Sequence, residues 1–161
     1  MRNPRRRTTQ TWLALLGWVG LSLAAGAFGS LFEPGAWYAS LRKPPWTPPD
    51  SAFPLVWTVL YGAMGVAAWF VWKGPAGSSR KTGLILFLIQ LALNAAWSWI
   101  FFGLHLIGAA LAEIIVLEVL ILACTVHFYR ADWRAGRLMV AYVLWVGFAA
   151  ILNASFWLLN E

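Results

Sequence analysis

Leu106-Ile107-Gly108-Ala109-Ala110-Leu111-Ala112-Glu113-Ile114-Ile115-Val116-Leu117-Glu118-Val119-Leu120-Ile121-Leu122-Ala123-Cys124-Thr125-Val126-His127-Phe128-Tyr129 is a mostly apolar run with two carboxylates, one histidine and no lysine or arginine. A helix that crosses a bilayer needs about 20 mostly apolar residues. Working outward, runs of similar length cover about 12–32, 51–72, 82–103 and 138–159, so five spanning helices nearly exhaust the 161 residues. Hydrophobic residues make up 61% of the chain and charged residues 11%, with mean hydropathy +0.69. A soluble domain carries roughly 25% charged residues. The composition therefore gives an all-α integral membrane protein, read as a single five-helix bundle over 1–161. The short links predict that consecutive helices pack antiparallel. A basic N-terminus before an apolar run also opens a signal peptide, but the run from Trp12 exceeds the 7 to 15 residues of that segment and reads as a retained first helix.

One stretch does not suit lipid. Residues 33–50 form a long link between the first two helices, and within it Pro44, Pro45, Pro48 and Pro49 deny the backbone both a helix and a sheet ladder. Such backbone must lie outside the hydrocarbon or beneath other protein, which makes the segment a candidate lid. Trp37, Tyr38 and Lys43 stand in it, where rings can cover a ligand and an ammonium can meet a carboxylate. An interfacial anchor with its cation on lipid phosphate is the competing reading.

Charge sets the expected orientation. Arg2, Arg5, Arg6, Arg7, Lys73, Arg80, Lys81, Arg130, Arg134 and Arg137 fall on one side of five spans, against Arg42 and Lys43 on the other. Because Lys and Arg accumulate in cytoplasmic loops, the N-terminus is expected in the cytoplasm, with the lid and Glu161 outside. The net charge of +6 is then a topology signal and an attraction to membrane lipid. The cations are dispersed with no aromatic–basic groove, so no nucleic-acid role is expected.

Polar groups at membrane depth are costly and face the bundle interior. At about 1.5 Å per residue, Tyr61, Asn94, Glu113 and Asn153 share the level of the lid. Trp57, Trp97 and Trp145 lie in the same half or near the midplane. A cavity walled by indoles with a few hydrogen-bonding groups suits a flat, apolar ligand with a polar edge. Core packing explains Trp57 and Trp145 equally well, and interhelical hydrogen bonding explains Asn94 and Asn153. Trp12, Trp72, Trp133 and Trp157 sit at helix ends, as interfacial indoles do. His105 and His127 stand roughly 33 Å apart on a helix, too far to ligate one haem, and no metal-ligand spacing occurs. No metal site or resident cofactor is expected. Small-residue stripes at Ser22, Ala25, Gly26, Gly29, Ser30 and at Ala92, Ala96 permit close helix contact, within the chain or in a dimer.

Taken together, Trp37-Tyr38 with Leu41, Lys43-Pro44, Trp46-Thr47-Pro48-Pro49, Pro54-Leu55-Val56-Trp57 with Leu60-Tyr61, Leu93-Asn94-Ala95-Ala96-Trp97-Ser98, and Leu144-Trp145 with Phe148-Ala149 and Leu152-Asn153 are highly specific. On these residues the chain resembles the tryptophan-rich sensory protein and translocator protein family, also called the peripheral benzodiazepine receptor family, over essentially its whole length. The resemblance implies a five-helix bundle, often a homodimer, with a cavity under the first link that binds porphyrins such as protoporphyrin IX and benzodiazepine- or isoquinoline-type ligands. It places Trp37, Tyr38, Trp57, Asn94 and Trp145 on that cavity, and its motifs bring Tyr61, Trp97, Phe148, Ala149 and Leu152 to the same candidate site. Animal members add a sterol pattern with a tyrosine and a basic residue late in the fifth helix. Residues 150–159 hold neither, which puts sterol binding through that pattern in doubt and favours a bacterial cell membrane. Three roles fit: porphyrin binding with transport, sensing through a partner, or light- and oxygen-dependent protoporphyrin degradation. The last offers no catalytic group other than the indoles of Trp57 and Trp145.

Overall fold

The computed structural model describes residues 4–161, with side chains from residue 10 onward. Helix α1 spans Pro4–Gly29, α2 Ala36–Ser40, α3 Ala52–Lys73, α4 Ser78–Ser98, α5 Ile107–Ala131 and α6 Trp133–Asn160, and a π-helical turn, Trp99–Gly103, extends α4. All but α2 are long and apolar enough to cross a membrane. The last begins earlier than hydropathy predicts because Asp132 caps it, accepting a hydrogen bond of 2.9 Å from the Arg134 amide. The Arg134 guanidinium also pairs with Asp132 at 2.9 Å, and this hydrogen bonding holds the Asp132 carboxyl below the usual carboxylate range.

The first link is not simply a loop. Its prolines begin at residue 44, and the stretch before them, Ala36-Trp37-Tyr38-Ala39-Ser40, closes one turn of helix after Gly35. Among residues 41–50 no helix or strand forms, as the prolines require.

Spatial order departs from chain order. Helix α1 packs on α3, α3 on α6, α6 on α5, α5 on α4, and α4 closes the ring on α1. Thus α3 and α4, although joined by four residues, meet only sparsely along their length. The expectation that every consecutive pair would pack fails at this step, because α3 places one flank on α1 and the other on α6.

The end of the bundle away from α2 is solid. Met64, Ala67, Ala68, Val71, Phe87, Ile121, Cys124, Phe128, Ala135 and Met139 are fully buried there. Glycine sets the α1–α3 distance: a Cβ on Gly65 would stand 2.5 Å from the Val19 Cα, a backbone atom that cannot yield. The indole of Trp69 donates to the Thr11 carbonyl at 2.9 Å across the same pair. Lys73 lies 3.6 Å above the Trp69 ring and Arg134 4.5 Å from Phe70, so the cations at this end cover aromatic faces.

Candidate ligand cavity

At the α2 end the helices part around a cavity of about 610 Å³, to which all five spans contribute. Trp57 and Tyr61 of α3, Trp97 of α4 and Trp145 of α6 form its aromatic walls, and Tyr38 of α2 reaches it from above. Trp57 stacks on Tyr61 with centroids 5.4 Å apart, and Phe53 meets Trp145 edge-on at 5.9 Å. The π-helical turn matters here, since it brings Phe101 and Phe102 onto the lining together. Trp97 stacks on Phe101 at 5.0 Å.

The roof is anchored by rings and by one amide. Tyr38 is buried against Phe101, Phe102 and Phe156. Trp37 stacks on His105 at 4.2 Å, and His105 reaches that position with φ 58°, in the left-handed region that non-glycine residues seldom occupy. Further along, the Asn160 side chain accepts from the Arg42 amide at 2.8 Å and donates to the Arg42 carbonyl at 3.0 Å. That pair of bonds ties the roof to the end of α6 as a strand neighbour would. Trp46 packs edge-on against Phe148 at 5.9 Å, which holds the proline-rich stretch over α6. Burial, and secondly the Asp50 carboxylate, push the Tyr38 hydroxyl above its ordinary range, so it remains a neutral donor.

Two polar systems adjoin the cavity, the first at its floor. Tyr61 donates to the Asn94 carbonyl oxygen, Asn94 donates to the Tyr142 hydroxyl at 3.0 Å, and Tyr142 donates to Gln90 at 2.8 Å. Nearer the roof, the Trp97 indole donates to Asn153 at 3.1 Å, and Asn153 donates to the carbonyl of Ile107, the first residue of α5, at 3.0 Å. These bonds join α3 to α4, α4 to α6, and α6 to α5, so polar groups costly in lipid lock the bundle around the cavity. The Trp145 Nε1 is buried and has no hydrogen-bond partner among the described residues, so this indole meets the cavity through its ring.

Of the residues singled out by sequence, Tyr38, Trp57, Tyr61, Asn94, Trp97, Trp145, Ala149 and Leu152 line this cavity. Trp37, Lys43 and Phe148 do not. Trp37 stacks on His105 outside the cavity, Phe148 lies behind Trp145 at 5.5 Å, and Lys43 sits on the Tyr38 ring at 3.9 Å with Asp50 also 3.9 Å away. Glu113 lies off the lining as well, its carboxylate buried without a hydrogen-bond partner among the described residues. Sequence reasoning missed the α1 wall, where Gly26, Ala27, Gly29 and Ser30 meet the cavity. It read Gly26, Gly29 and Ser30 only as packing stripes. Tyr142 and Gln90 were missed too, although the depth argument that found Asn94 applies equally to a glutamine one turn away. Among the described residues no group of three or more His, Cys, Asp or Glu converges to hold a metal ion.

The fold and site define a class: a polytopic helical membrane protein with a roofed, aromatic-walled cavity at one end of the bundle. Residues 18–158 match the TspO/MBR family, and the chain belongs to it. It is 42% identical to Protein CrtK of Rhodobacter capsulatus over 84% of this chain and 86% of the relative. It is 39% identical to the human translocator protein over 91% and 89%. The tryptophan-rich sensory protein of Cereibacter sphaeroides is 36% identical over 92% of each.

Proposed function

We propose that the cavity binds flat, largely apolar ring ligands of the porphyrin class, such as protoporphyrin IX, and that the protein carries them toward or across the membrane. The observation that carries this reading is a cavity of about 610 Å³ walled by Trp57, Trp97 and Trp145 above a hydrogen-bonding floor. Ligand sites of this size range are apolar with a few placed polar groups, and a broad ring gains most from stacking between indoles. Benzodiazepine- and isoquinoline-type ligands fit the same description. The human relative's name, translocator protein, supports movement of cargo rather than storage. The basic residues at the end opposite α2 support a cytoplasmic N-terminus, and residues 150–159, with neither tyrosine nor a basic residue, favour a bacterial cell membrane. A reporter fused after Glu161 is expected to be active only outside the cytoplasm.

Titration of protoporphyrin IX into the detergent-solubilised protein tests the binding step. Saturable quenching of tryptophan fluorescence is expected, because three indoles line the cavity. Linear, non-saturating quenching would leave the cavity without this ligand. Porphyrin movement into proteoliposomes above the rate of empty liposomes would support transport, and binding without movement would restrict the role to reception.

A further inference from the structure

The charges around the cavity are unevenly placed. Among the described residues, the charged side chains on its lining are two carboxylates, Glu33 just after α1 and Asp50 just before α3, both exposed at the mouth. No lysine or arginine among the described residues lines it. The nearby cation, Lys43, stands outside, 3.9 Å from the Asp50 carboxylate and 3.9 Å from the Tyr38 ring centroid. Its neighbour Arg42 is exposed, with its backbone held by Asn160. A ring ligand that seats its apolar body among Trp57, Trp97 and Trp145 leaves its edge at this mouth. A carboxylate on that edge meets Glu33 and Asp50, or must draw Lys43 away from Asp50. An ester, an amide or an ammonium encounters neither obstacle.

We infer that Asp50, seconded by Glu33, is a specificity-determining residue that favours ring ligands with uncharged or cationic edges over ligands with free carboxylates. The inference rests on the cavity being the ring-ligand site. Lys43 acts as the moderator: it offsets Asp50 from outside and shields part of the field. All these groups are solvated, so the selection is moderate, on the order of threefold to tenfold in affinity, and weakens with salt.

The test compares two ligands with one ring system, protoporphyrin IX and its dimethyl ester, in an uncharged detergent. The readout is the ratio of their dissociation constants in the wild type and in Asp50→Asn, Glu33→Gln and Lys43→Met. The ester partitions more strongly into micelles, but equally in every variant, so the change of ratio between variants isolates the mouth. Asp50→Asn is expected to bring the free acid closer to the ester by about threefold or more, Glu33→Gln by less, and Lys43→Met to push the two apart. Added salt should shrink all three differences. A ratio that stays put in Asp50→Asn and Glu33→Gln while both ligands still bind would overturn the selection rule and leave the ring-binding site standing. Failure of both ligands to bind the wild type would remove the site, and the rule with it.

Discussion

At the end of the bundle away from α2 the helices touch through glycine and alanine, whereas at the α2 end the same helices stand apart behind a wall of rings. Gly65 and Gly26 make the contrast concrete. A Cβ on either would come within 2.5 Å of another atom, yet at Gly65 that atom is the Val19 backbone and at Gly26 it is the edge of the Tyr61 ring, which has the cavity behind it. One end is rigid because its neighbours cannot yield, and the other is adaptable because they can. A receptor for a bulky ring needs both: a fixed end to hold the helices in register, and a deformable end to accept cargo.

The largest effect should come from attacking the rigid end. Gly65→Ala is expected to cost roughly 1–3 kcal/mol, since α1 and α3 must separate. A clear fall in thermal midpoint in detergent would be the sign. Gly62→Ala, on the same helix with open space around it, is the control and should barely move. Gly26→Ala should lower the midpoint less than Gly65→Ala but weaken ligand binding, because Tyr61 would be displaced from Asn94 into the cavity. Equal destabilisation at Gly65 and Gly26 would erase the distinction between the two ends.

Next in size is the polar floor that divides them. Tyr142→Phe removes the hydroxyl between Asn94 and Gln90 and leaves the Asn94 amide N–H and the Gln90 carbonyl oxygen without that partner in the core. A loss of about 1 kcal/mol is expected, measurable as a lower thermal midpoint with little change in affinity for a ligand that stacks above. The smallest stability effect belongs to the roof. Asn160→Ala breaks both bonds to Arg42, and ligand dissociation should accelerate a fewfold while the midpoint stays within about a degree or two. Stopped-flow displacement would detect it, and an unchanged dissociation rate would show that the ring contacts of Tyr38 hold the roof unaided.

The legible and illegible parts of the sequence divide along the same line. Five spans could be read directly, because hydropathy over 20 residues is a property of each helix alone. Asn94, Tyr61 and Asn153 could be read as inward-facing because any amide or phenol at that depth must find a partner. The ring order was hidden, since which flank of α3 meets α1 and which meets α6 depends on side-chain fit between distant segments. Helix α2 was hidden as well: one turn of helix has no periodicity to detect, and the prolines that follow it dominate the local signal. The α1 wall escaped because a glycine that admits a neighbouring helix and a glycine that leaves room for a ligand look the same in sequence. Lys43 and Phe148 were drawn toward the site by their place in the motif, while their side chains serve the roof and the backing of Trp145.

The most direct test of the central claim, that the α2-end cavity is the ring-ligand site, sets tryptophans of the two ends against each other. Protoporphyrin IX affinity would be measured by quenching and by its own absorbance shift in Trp57→Phe/Trp145→Phe and in Trp12→Phe/Trp133→Phe, the latter pair exposed at the opposite end. Loss of indole stacking at the cavity is expected to raise the dissociation constant roughly tenfold, with the opposite pair leaving it within about twofold of wild type. Equal affinities in both double variants, or a loss confined to Trp12→Phe/Trp133→Phe, would contradict the account and place the ligand elsewhere on the bundle.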